Sequence, residues 1–160
     1  MQASLEMKVE EFALAVQKDR YIHITGGRGK NSKQSAVLDT VANLWLMRPK
    51  MNQGRANHAA MVLDKHLYVI GGEAGETLQS SIECRKLDAQ SPWELLVTQN
   101  EDLERIYPAV CAISSDEIVV FGGRNDDDFF SNKGLIFNTQ SYEVTTVLGA
   151  NSDFSFLSFT

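Results

Sequence analysis

Short apolar runs recur along this chain with polar turn residues between them. Three of the runs close on an identical glycine pair. Tyr21-Ile22-His23-Ile24-Thr25 leads into Gly26-Gly27, Leu67-Tyr68-Val69-Ile70 into Gly71-Gly72, and Ile118-Val119-Val120-Phe121 into Gly122-Gly123. Runs of this length, rich in β-branched and aromatic residues and bounded by turn formers, predict strands. A second apolar segment precedes each pair, at 12–16, 58–63 and 109–113. It is joined to the glycine strand by Lys18-Asp19-Arg20, Asp64-Lys65 or Ser114-Ser115-Asp116, which is a hairpin pattern. A third segment follows, at 35–39, 81–88 and 134–138. Each ends in Asp or Asn, residues suited to open a turn. A fourth is led by Trp45, Trp93 and Val144. The pattern therefore predicts an all-β chain in which a four-stranded unit recurs about three times, and recurrence at this period marks a repeat array.

The unit resembles the kelch repeat. The resemblance is carried by the diglycines Gly26-Gly27, Gly71-Gly72 and Gly122-Gly123, by Tyr68 in the second glycine strand, by the Asp39…Trp45 and Asp88…Trp93 pairs, and by Arg55-x-x-His58 at the start of the second unit. It runs from about Phe12 to Leu148 and implies kelch-type β-propeller blades, each a four-stranded antiparallel sheet. Blade one is expected at about 12–50, blade two at about 55–98 and blade three at about 105–148. Residues 154–160 are expected to start a further blade or to form a closing strand. The third unit departs from the pattern, with Val144 in place of Trp and no Tyr in its glycine strand; the first has His23 where the second has Tyr68. Kelch rings usually close with six blades, sometimes five or seven. About three blades make an incomplete ring, with apolar flanks and unpaired edges at both ends. The leading expectation is a fragment of a larger propeller. A second copy completing the ring, and an arc capped by its terminal segments, are the alternatives. Met1 to Phe12 reads either as a connector out of an earlier blade or as a helix, since Leu5, Val9 and Phe12 stand at helical spacing.

Composition narrows the function classes. The net charge of −6 disfavours broad nucleic-acid or anionic-membrane binding, and no apolar run approaches membrane-spanning length. Glu6, Glu10 and Glu11 near the N-terminus do not fit a signal peptide. Cys84 and Cys111 lie in strand segments, where reduced, buried thiols are expected, and the chain has no Asn-x-Ser/Thr site; both point to a cytoplasmic protein.

Candidate chemistry is sparse. Gly26 to Ser32 looks like a phosphate loop, but Ile24 stands where its first glycine is needed and Asn31 where Ser or Thr must follow Lys30. Asp126-Asp127-Asp128 invites a calcium reading, yet an EF-hand register puts Ser131 and Phe137 at the required Gly and Glu. His23, His58 and His66 share no metal-ligand spacing, and no catalytic motif is present. No metal or cofactor is expected. What remains is a set of loop residues suited to a protein partner: Arg28 and Arg124 directly after diglycines, Lys30 in a basic loop, the acidic Asp126, Asp127 and Asp128, and the aromatic Phe129 and Phe130. The loops 28–33, 73–80 and 125–133 are expected to share one face. By resemblance, the function is that of a protein–protein interaction scaffold. The alternatives are an enzyme, sugar-directed or oxidative, with its site in the channel of a complete ring, or a structural, cytoskeletal or adaptor element.

Overall fold

A computed structural model describes residues 10–88, 90–97, 100–125 and 130–147. The expected all-β architecture is present. The first sheet takes β1 (Ala13–Gln17), β2 (Tyr21–Thr25), β3 (Ser35–Asp39) and β4 (Leu44–Arg48) in sequence order. The second contains β5 (Ala59–Leu63) and β6 (His66–Ile70); after a two-residue hairpin of β7 (Glu73–Ala74) and β8 (Thr77–Leu78), it adds β9 (Ile82–Lys86) and β10 (Glu94–Val97). The third takes β11 (Ala109–Ala112), β12 (Glu117–Phe121), β13 (Gly134–Asn138) and β14 (Val144–Val147). All pairings within the sheets are antiparallel.

The same local chemistry turns the chain from third to fourth strand in every sheet. Asp39 Oδ1 accepts from the backbone N–H groups of Val41 and Ala42, Asp88 Oδ1 from those of Gln90 and Ser91, and Asn138 Oδ1 from those of Gln140 and Ser141. A short side-chain acceptor two residues upstream imitates a backbone turn, so these three positions specify the bend without glycine.

The sheets stack through their first strands, β5 lying beside both β1 and β11. Directly opposed residues share a face, so register assigns every side chain to a wall. On the second sheet Leu67 and Val69, with Trp93 just before β10, face the first sheet and meet Ala15 of β1 and Met51 of the connector after β4. The opposite wall presents Tyr68, Ile70, Ile82 and Cys84 to Ile118, Val120, Leu135 and Phe137 of the third. Two seams therefore form the core, and the middle sheet is buried on both sides, with Glu83 and Arg85 enclosed among the apolar residues of its first wall.

Among the described residues no further sheet or connector covers the outermost walls in this way. On the first sheet Leu14, Val16 and Met47 are exposed, Leu14 and Val16 by 52% and 61%, and Trp45 on the same wall is half-buried. On the third, Cys111 and Val147 are exposed. The expectation of a buried Cys111 is thus corrected. Its strand is the inner one of an end sheet, and its wall faces away from the second sheet; Cys84, on the inner seam, is buried. Two segments expected to be plain loops carry structure: the β7–β8 hairpin within 73–80, and a single 3-10 turn at Gly29–Asn31. Most of the N-terminal segment read as connector or helix, and the 154–160 segment, lie outside the described residues.

Glycine is required where the strand end passes over the connector that enters its own repeat. At Gly72 (φ +87°) an added Cβ would meet the Ala56 carbonyl oxygen at 2.6 Å and the His58 Cβ at 2.6 Å. Gly75, in the β7–β8 turn, also has positive φ (+68°) but open space around it. Gly72→Ala should therefore cost several times what Gly75→Ala costs, the latter being limited to about 1 kcal/mol of backbone strain. Urea unfolding of the two variants checks this ordering.

Candidate interaction face and the seams that position it

The chain enters the first strand of each sheet through a residue in the left-handed region: Glu11 (φ 57°), Asn57 (φ 54°) and Tyr107 (φ 56°). These three are stitched together by backbone. Asn57 N–H donates to the Glu11 carbonyl at 2.9 Å and Tyr107 N–H to the Asn57 carbonyl at 2.8 Å. The residue after each diglycine joins the same end of the stack. Arg28 N–H donates to the Glu10 carbonyl, Glu73 exchanges two backbone bonds with Ala56, and Arg124 exchanges two with Ile106. One face thus collects Glu11, Arg28, Asn57, Glu73, Tyr107 and Arg124.

Side chains weave the first two repeats of this face together. Arg28 Nε donates to Glu11 Oε2 at 2.6 Å, and Arg28 Nη2 lies 3.9 Å from Glu73 Oε1. Asn57 Nδ2 donates to Glu73 Oε1 at 2.8 Å and to Glu11 Oε2 at 3.2 Å. The hydrogen bond to Glu11 raises the Arg28 pKa above its ordinary value, so Arg28 stands as one member of a mixed-charge cluster. Lys30 is exposed in the 3-10 turn beside it. The third repeat presents a different surface: Tyr107 is exposed, Phe130 is 79% exposed, and Phe130 forms a backbone bridge with Arg124. Asp126, Asp127, Asp128 and Phe129 lie outside the described residues.

Beneath this face, buried polar side chains lock the connectors to the sheets. Arg55, fully enclosed, donates Nη1 to the carbonyls of Gly71 (2.8 Å) and Ser81 (3.0 Å), and its guanidinium pairs with Glu83 at 3.1 Å. Glu83, equally enclosed, also accepts from the backbone N–H groups of Asn52 (2.8 Å) and Gln53 (3.0 Å). Burial lowers the Arg55 pKa, and the Glu83 charge opposes that shift. Arg105 repeats half of the device, with Nη1 reaching the carbonyls of Gly122 (2.9 Å) and Lys133 (3.3 Å). In register, however, Leu135 replaces Glu83, and Leu103 packs against the same core. The third repeat therefore keeps the arginine and exchanges the carboxylate for apolar contact.

Two further ties cross the first seam. Trp93, 4% exposed, donates Nε1 to the Pro49 carbonyl at 2.9 Å and fills the space beside Met51. His58 Nε2 and Thr25 Oγ1 are hydrogen-bonded at 2.8 Å. Burial is the main cause that lowers His58 to about 3 and His23 to about 4. Among the described residues no three His, Cys, Asp or Glu side chains come together as a metal site.

The sequence reading missed Glu83 and Arg105. The available signal was a pair of charged residues interrupting otherwise apolar stretches, with Arg55 and Arg105 at corresponding places before consecutive diglycines.

Two predictions come from these seams. Glu83→Gln leaves Arg55 as an uncompensated buried charge and should cost about 3–5 kcal/mol, whereas removing the exposed Lys133–Asp102 pair with Lys133→Ala should change stability little; chemical denaturation separates them. The second concerns pH. In the unfolded chain a histidine takes up its proton near pH 6.5, but folded His58 and His23 stay neutral down to about 3 and about 4. Between those values the unfolded state binds more protons, so stability falls as pH drops. The slope is at most about 1.4 kcal/mol per pH unit for each histidine. Stability measured from pH 7 to pH 4.5 should decline, and His58→Gln should flatten the decline.

Comparison with known proteins places this architecture. The Kelch motif family matches residues 54–84. The chain is 32% identical to human Kelch-like protein 24 over 79 residues, which is 49% of this chain and 13% of that protein. It is 29% identical to leucine-zipper-like transcriptional regulator 1 of Pongo abelii over 147 residues, 81% of this chain and 17% of that protein. A putative F-box/kelch-repeat protein of Arabidopsis thaliana is 33% identical over 84 residues, 51% of this chain and 22% of that protein. The matched region is thus under a quarter of each relative's length.

Proposed function

This chain is of the kelch-repeat family, and from that premise we propose that it forms part of a rigid protein-interaction scaffold whose partner docks on the face built from the residues after each diglycine. The observation that carries this reading is the convergence of Glu11, Asn57 and Tyr107 through backbone bonds, which gathers the loops of successive repeats at one end of the stack. Kelch-repeat proteins generally bind protein partners. Exposed aromatics beside charge are the chemistry of an interface anchor, and Tyr107 and Phe130 beside Arg124 supply it. Arg28 and Lys30 give the first repeat a basic patch next to Glu11 and Glu73, and Asp126, Asp127, Asp128 and Phe129 directly precede Phe130 in the sequence.

The scaffold is completed by cover on its two outer walls, supplied by further blades or by a second copy of the chain. Leu14, Val16 and Met47 on one wall and Val147 on the other are exposed. Fully burying a large apolar side chain gains roughly 1.5–3 kcal/mol, so both walls favour association over solvent. The protein acts by binding, without catalysis of its own, and in the cytoplasm.

The test is partner capture from cell extract by the wild-type chain and by variants matched for melting temperature. Arg28→Glu with Lys30→Glu, and Phe130→Ser, should each reduce recovery of the partner at least tenfold. Asp64→Lys with Lys65→Glu, in a turn at the far end of the second sheet, should leave recovery unchanged. The opposite pattern would overturn the assignment of the face.

A further inference from the structure

We propose that the cover these outer walls take, in the scaffold reading above, is a second copy of this chain, docked head to tail so that two copies close a ring. The two walls are unlike, and each has counterparts inside the chain. Ile22, Leu67 and Ile118 each stand four residues before the first glycine of a pair. The walls carrying Leu67 and Ile118 dock on the preceding sheet. The wall carrying Ile22 has no preceding sheet among the described residues. His23, Tyr68 and Val119 stand one residue later. The walls carrying His23 and Tyr68 receive the following sheet, and the wall carrying Val119 has none to receive among the described residues. A copy that sets its Ile22 wall on the Val119 wall of another repeats a contact the chain already makes twice.

The side chains suit that contact. Register adds Leu14, Val16, Leu38, Trp45 and Met47 to the Ile22 wall, and no strand position on it is polar. Trp45 stands in the register of Trp93, which is enclosed by the sheet it meets. The Val119 wall carries Cys111, Ile136 and Val147. Its polar residues are Thr145 on the edge strand, and Glu117 and Asn138 at the end away from the glycines.

Backbone points to the same occupant. Asn57 N–H donates to the Glu11 carbonyl and Tyr107 N–H to the Asn57 carbonyl. Among the described residues the Glu11 N–H and the Tyr107 carbonyl are the two unmatched ends of that ladder. In the ring, Glu11 N–H of one copy donates to the Tyr107 carbonyl of the other. What one end of the molecule lacks the other end supplies, which selects a second copy over an unrelated protein. A head-to-tail contact between identical chains either closes or runs on as a filament; two copies make it twice and leave no wall over.

Sedimentation equilibrium of the wild-type chain should give twice the chain mass at micromolar concentration. A single-chain mass throughout, or a series of larger species, would overturn the ring. The sheets stack through their first strands, so Leu14→Lys on β1 and Cys111→Asp on β11 each break the contact at an exposed position. Each variant should be monomeric alone and dimeric when the two are mixed, because the mixture holds one intact contact and one Lys–Asp pair. A dimer that survives Cys111→Asp, or a mixture that stays monomeric, contradicts head-to-tail docking. If a variant fails to fold, the wild-type thiol decides: alkylation of Cys111 should slow several-fold as concentration rises through the association range, and an unchanged rate counts against the interface. Partner capture reads the loop face separately, so either proposal can fail alone.

Discussion

The backbone of one repeat lies directly on the glycine pair of the repeat before it. The Arg55 carbonyl accepts from Gly27 N–H at 2.8 Å, and the Arg105 carbonyl accepts from Gly72 N–H at 2.9 Å. No side chain fits between strands this close. That approach sets the spacing of the sheets, and the spacing sets everything else: which side chains meet across a seam, and where the loops after the glycines emerge. At Gly122, which corresponds to Gly26 and Gly71, an added Cβ would meet nothing within 4 Å, whereas at those two it would strike the Arg55 and Arg105 carbonyls of the following repeat. Among the described residues, the surface that grips the next repeat in the first two sheets is open in the third.

Close backbone contact also explains the buried charge. The connectors that cross from one sheet to the next carry peptide groups into the core, where they need partners. Arg55 and Glu83 supply them from both signs of charge, one binding carbonyls and the other N–H groups. The third repeat has Arg105 for its carbonyls and no carboxylate in the matching position, so its connector relies on Leu103 and Leu135. A loop face built on such seams is anchored at its base, whereas the loops themselves differ in sequence from one repeat to the next. Recognition surfaces use that division of labour.

Much of this was legible in the sequence because the relevant signals are local. Alternation, turn residues and the diglycines located each strand of the three sheets, and Asp39, Asp88 and Asn138 marked the turns they make. The equivalence of Trp45, Trp93 and Val144 was visible too, but not their different environments. Trp93 is enclosed because a sheet faces it, and Trp45 is half-buried because none does among the described residues. Cys111 was misjudged for the same reason: burial on an end sheet depends on a neighbour that no local pattern encodes. Arg28 stood out as a basic residue suited to a partner, but the sequence did not name the acids that reach it, Glu11 of its own repeat and Glu73 of the next. Partnerships between residues far apart in sequence follow from the stacking, so single-chain patterning does not reveal them.

Amide exchange by NMR at the three second glycines addresses the account most directly. Gly27 and Gly72 donate to the following repeat; Gly123 has no such acceptor among the described residues. In the monomeric chain the Gly27 and Gly72 amides should exchange orders of magnitude more slowly than Gly123. Equal protection at all three, or free exchange at Gly72, would contradict the claim that repeat-to-repeat backbone contact organises this fold.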